Sequence, residues 1–179
     1  MSSNTAAKTP ANTTTKTRMM VQIAMLTAVA EVLMLFDFPL PFAPSFYKID
    51  LSEVPILIGC FAMGPAAGII IEAMKILLNF IISGTVTAGV GELANFAIGC
   101  SMVLPAGLIY RYHKTRKNAV LGMAAGTLVM AAIGGLLNAF VLLPAYAALF
   151  GGMDAIIGMG TAVNKNITSV QSFVLLSVV

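Results

Sequence analysis

The sequence predicts an all-α membrane protein, a bundle of six transmembrane helices with the sixth incomplete. Three observations carry this. Of 179 residues, 59% are hydrophobic and 9% charged, whereas soluble domains carry about 25% charged residues. Mean hydropathy is +0.95, and the apolar residues fall in runs whose helical lengths approach the roughly 30 Å of a bilayer core. The basic residues gather mainly beside apolar runs, at Lys8, Lys16 and Arg18 and again from Arg111 to Lys117, the pattern of cytoplasmic flanks.

A net charge of +3, spread over two clusters, excludes a nucleic-acid-binding surface. Cys60 and Cys100 lie inside apolar runs without metal-ligand spacing, so both read as buried fillers. Lipid, a small molecule and further membrane subunits are the expected partners.

Residues 1–17 are polar and expected to be a flexible cytoplasmic tail, with 18–179 forming one membrane domain. The first span covers 18–36. Ala28, Val29 and Ala30 resemble a signal-peptide cleavage site, but the apolar run continues to Phe36, which favours an uncleaved span. Pro39, Pro41 and Pro44 then impose an extended path. That stiff apolar stretch reads either as an ordinary connection or as a structured lid. Ser52 is placed to cap a second helix over 53–63, with Glu53 and Pro55 in its first turn. At about 11 residues this helix is short for a span.

Gly64 and Pro65 break it, and the third span covers 66–83. Glu72 and Lys75 are spaced to neutralise each other on one face, and Asn79 extends that polar stripe. After a short Gly/Thr connection, Glu92 and Asn95 open the fourth span at 92–110, which contains Pro105. His113 sits among cations and reads as a surface residue. The fifth span covers 119–143, with Gly126, Gly134 and Gly135 allowing close helix contact and Asn138 as its one strongly polar residue. A loop to Asn166 leads to 167–179, too short to cross before the chain ends.

A cytoplasmic tail makes the connection from the fourth to the fifth span cytoplasmic as well. Glu92, Asn95 and Asn138 then lie toward the outer face, in the geometry of a pocket opened outward and not of a continuous pore. With Lys48 they supply directional donors and acceptors among apolar side chains, which suits a planar or amphiphilic ligand. Each amide taken singly also fits plain helix-to-helix bonding. No nucleophile and base, metal motif or phosphate loop is present, so an enzyme is not expected. A different class remains open: a standalone proton-coupled carrier using Glu72, Lys75 and Glu92.

Several stretches together carry a resemblance. Lys16-Thr-Arg-Met-Met-Val-Gln-Ile-Ala24, Phe36-Asp-Phe-Pro-Leu-Pro41, Tyr47-Lys-Ile-Asp-Leu-Ser-Glu-Val-Pro55, Gly91-Glu-Leu-Ala-Asn-Phe96 and Asn138 through Tyr146 occur in collinear order. They resemble the riboflavin-specific substrate-binding subunits of energy-coupling factor (ECF) vitamin transporters, from about Lys16 to the last residue. The resemblance implies a six-helix subunit of the bacterial cell membrane that captures riboflavin from outside beneath its first loop. Riboflavin is then a transported ligand, and no cofactor is implied.

It further implies docking onto a transmembrane coupling subunit served by two cytoplasmic ATPases, with toppling in the membrane to release the vitamin inward. Asn138 would bond the polar edge of the flavin ring, Glu92 and Asn95 the ribityl hydroxyls, and Leu40, Pro41 and Lys48 would belong to the lid. Ala24 and Ala28, one turn apart, match the family's small-residue contact with the coupling subunit. Family members continue with a Pro-Phe-Asn-containing stretch and a nearby Lys that help hold the flavin, and this sequence does not include them. A chain ending at Val179 is therefore expected to lack one pocket wall and to be less stable than a longer one.

Overall fold

The computed structural model describes residues 11–36, 38–39, 48–85, 89–142, 144–145 and 148. Residues 1–10, Leu40, Pro41 and the sixth span expected at 167–179 lie outside these. Five α-helices dominate the described residues: α1 Ala11–Leu35, α2 Glu53–Met63, α3 Pro65–Ser83, α4 Val90–Tyr112 and α5 Arg116–Leu137, the last continued by a π-helical turn, Asn138–Leu142. Between α1 and α2 lie two short strands, β1 Phe38–Pro39 and β2 Lys48–Ile49. They pair antiparallel, with Phe38 opposite Ile49 and Pro39 opposite Lys48.

Among the described residues, four helical stretches are long and apolar enough to cross a membrane: 15–35, 65–83, 90–112 and 116–142. Large apolar side chains cover their outer faces, among them Met25, Ile81, Leu104 and Leu128, as expected where lipid replaces water as solvent. Several bounds differ from the sequence reading by a turn or less, and the first by more. The first helix begins at Ala11, inside the segment read as a tail, because extending an established helix costs far less than starting one. The fourth begins at Val90 and runs unbroken through Pro105 to Tyr112.

The α2/α3 pair is a tight hairpin. Gly64, at φ 105°, ends α2, and Pro65 opens α3 at a position where its missing N–H costs no helical bond. A Cβ on Gly68 would come within 2.8 Å of the Cys60 side chain, so these two residues face each other. Counting outward from that pair puts Ser52 and Glu53 level with Lys75. The start of α2 therefore lies about 12 Å below the outer end of α3, eight residues further on. Ile56, Cys60, Ile71, Val103 and Ala30 form the apolar core where α1, α2, α3 and α4 meet.

At the opposite end, Thr115 caps α5, its hydroxyl oxygen accepting from the Asn118 N–H at 3.3 Å. Arg111, His113, Lys114, Arg116 and Lys117 are exposed there, so the bundle has a basic end and a ribbon end.

Candidate functional site

The α4/α5 interface determines which polar residues meet. Glycines on α5 sit against α4 backbone: a Cβ on Gly122 would fall 2.8 Å from the Ala106 carbonyl oxygen, and one on Gly126 would fall 2.6 Å from that of Met102. Further along, a Cβ on Gly134 would lie 3.9 Å from Ile98. Further toward the ribbon end the same interface brings Asn138 to the first turns of α4, the part of that helix that carries Glu92 and Asn95.

Asn138 is 5% exposed and is the first residue of the π-helical turn. Its backbone N–H is shared between the carbonyls of Gly134 and Gly135. A π-turn widens the helix and redirects the side chains that follow, and such turns concentrate at functional sites. The turn rests against α4. Nothing in the hydropathy pattern announced it, although paired glycines just before a buried Asn mark a helix able to accommodate one.

Glu92 and Asn95 lie in the first two turns of α4, both half-buried. Gly89 precedes them with φ 89°, a left-handed conformation that favours glycine. Thr85 Oγ1 donates to Glu92 Oε2 at 3.2 Å and accepts from the Gly89 N–H at 3.0 Å, tying the α3–α4 connection to the acid. Lys48 is placed by its backbone, in β2 at the same end of the bundle.

A second polar group lies along α3, on the side of α1 and α2. Lys75 Nζ is 3.0 Å from Glu72 Oε2 and 3.2 Å from Glu53 Oε1, and it donates to Ser52 Oγ at 3.1 Å. Two hydrogen bonds, to Ser52 and Glu53, and the close Glu72 carboxylate thus surround the ammonium. Lys75 is 1% exposed and Glu72 0%. The Glu72 carboxyl lies over Gly99 of α4, where a Cβ would collide with it.

One turn outward, Asn79 Nδ2 donates to Glu31 Oε1 at 3.3 Å, joining α3 to the last turns of α1. Glu31 was passed over in the sequence, although a lone carboxylate in an apolar span is itself a signal. Ser52 also departs from expectation. At φ −64° and ψ −23° it makes no side-chain cap; its hydroxyl oxygen serves Lys75, and its N–H donates to Asp50 Oδ1 at 2.6 Å. An ammonium with no water to solvate it is the stronger claimant on that oxygen.

Glu72 and Lys75 pair as their spacing predicted, but Glu92 stands apart. Gly99 marks the level of Glu72 on α4, and Glu92 lies two turns outward, about 10 Å. The three residues of the carrier reading therefore do not form one cluster. Cys60 is buried, its thiol facing the Val103 carbonyl at 3.6 Å, and Cys100 is half-buried. Ala24 and Ala28 lie on the exposed side of α1, beside Val21, Met25 and Val32.

Comparison with known proteins gives concordant findings. The profile of a family described as ECF transporter, substrate-specific component, matches residues 18–179. The chain is 40% identical over 131 residues to the riboflavin transporter RibU of Staphylococcus aureus (strain TCH60), covering 73% of this chain and 68% of that protein. It is 38% identical over 132 residues to the riboflavin transporter FmnP of Bacillus subtilis (strain 168), covering 73% and 70%. A solved structure of the S component of a bacterial ECF transporter superposes with a TM-score of 0.68 at 36% identity, covering 90% of this chain and 94% of that one.

Proposed function

This chain belongs to the family of ECF transporter substrate-specific components, and from that premise we propose that it binds riboflavin at the outer face of the membrane. As a family member it is a multi-pass membrane transport component, not an enzyme. In this reading it delivers the vitamin inward as the substrate-binding subunit of an ATP-driven transporter. The observation that supports the ligand assignment is the buried Asn138 at a π-turn packed against α4, the helix that carries Glu92 and Asn95. Relatives named as riboflavin transporters support it.

Asn138 bonds the polar edge of the flavin ring, while Glu92 and Asn95 receive the ribityl hydroxyls. Leu40, Pro41 and Lys48 belong to the connection over the ligand. Burial of the planar ring supplies affinity, and the amides supply selectivity, because an analogue without matching groups leaves them unsatisfied. The ribbon end faces outside, and the basic end faces the cytoplasm with the N-terminus. The exposed Ala24 and Ala28 side of α1 docks on the transmembrane coupling subunit, and through it two cytoplasmic ATPases provide the energy.

Titration with riboflavin, followed by quenching of flavin fluorescence with thiamine and biotin as controls, tests the assignment. Selective quenching is expected. Absence of quenching would leave the membrane fold standing and overturn the ligand.

A further inference from the structure

The polar stripe of α3 lies away from the α4/α5 residues assigned to the ligand, yet it is bonded to both ends of the β1/β2 connection. Glu31 lies in the last turns of α1, where the chain enters that connection, and it is held by Asn79. Ser52 and Glu53 stand where the chain leaves it, three to four residues after β2, and both are held by Lys75. Lys75 is in turn braced by Glu72 against the Gly99 backbone. One face of one helix thus fastens the two feet of the ribbon, and the buried ammonium fastens the deeper foot.

We propose that Lys75 is a positioning residue for ligand binding. By holding Ser52 and Glu53 it keeps β2 and Lys48 in register with the α4/α5 site, so its influence falls on how long the ligand stays. This rests on the riboflavin reading above. An ordinary space-filling core residue at this position would need no charge, no acceptors on α2 and no carboxylate behind it. A buried ammonium that spends both its hydrogen bonds on the first residues of α2 is what distinguishes an anchor.

The test is the double variant Glu72→Gln/Lys75→Met, which removes the anchor without stranding a buried charge, because the half-buried Glu53 can be hydrated. Riboflavin dissociation is measured by stopped-flow fluorescence, and hydrogen–deuterium exchange is followed over residues 48–54 and 92–98. Dissociation about tenfold faster is expected, the scale of one charge-assisted hydrogen bond, with faster exchange confined to 48–54. Ser52→Ala, which keeps the ion pair, should act in the same direction by about threefold, and it carries the test if the double variant does not fold.

Wild-type dissociation rates in these variants, or exchange rising equally over both segments, would overturn the positioning role while leaving the ligand reading intact. Wild-type protein that binds no riboflavin overturns the ligand reading instead, and the exchange over 48–54 then judges the anchor alone.

Discussion

Replacing Lys75 by methionine keeps the length and volume of the side chain and removes its charge. In the native bundle the ammonium hydrogen-bonds Ser52 and Glu53 and pairs with the Glu72 carboxylate. The exposures of the two carboxylates determine what its loss costs. The Glu53 side chain is 23% exposed and can regain water, whereas that of Glu72 is at 0% with neither oxygen hydrogen-bonded among the described residues. The stranded Glu72 charge dominates, and breaking such a buried pair from one side costs about 3 to 5 kcal/mol. For a chain of this size that corresponds to a fall in melting temperature of roughly 6 to 20 °C.

Adding Glu72→Gln removes the stranded charge and should bring stability back to within about 1 kcal/mol of the parent. Thermal melting in detergent with a thiol-reactive fluorogenic dye reads this directly, in a Cys100→Ala background where the buried Cys60 is the reporter. A Lys75→Met variant melting within about 2 °C of the parent would refute the reasoning, as would a double variant no more stable than the single one.

Other consequences can be checked on the same preparation. Asn138→Ala should weaken riboflavin binding by about 1 to 3 kcal/mol in fluorescence titration, and an unchanged dissociation constant would remove Asn138 from the site. Gly126→Val should cost about 1 to 3 kcal/mol of stability by driving a side chain against the Met102 carbonyl, and should lower affinity by shifting Asn138 relative to α4. Wild-type melting and binding in that variant would contradict the register. Ala24→Leu with Ala28→Leu should leave riboflavin binding intact but abolish co-purification with the coupling subunit, since both residues lie on the exposed side of α1. Retained assembly would move the docking surface elsewhere.

The sequence by itself determined the class and, among the described residues, the helices and their order. Hydropathy and charge placement depend only on composition along the chain, so the second helix at 53–63, its break at Gly64 and the third helix ending at Ser83 were all legible. The i, i+3 spacing of Glu72 and Lys75 likewise predicted a pair within one helix. What local patterning could not supply was anything dependent on the depth at which two helices meet.

Ser52 reads as a cap until the recessed start of α2 brings it beside Lys75, where an unsolvated ammonium claims its oxygen. Glu31 gains its partner only because α1 packs against α3 and Asn79 meets it. The α4/α5 register is set by glycines pressed on carbonyls, a distance-dependent contact between residues far apart in the chain, and only that contact brings Asn138 to the first turns of α4. Within one helix, bonding partners follow from periodicity. Between helices they follow from close packing, which no single segment encodes.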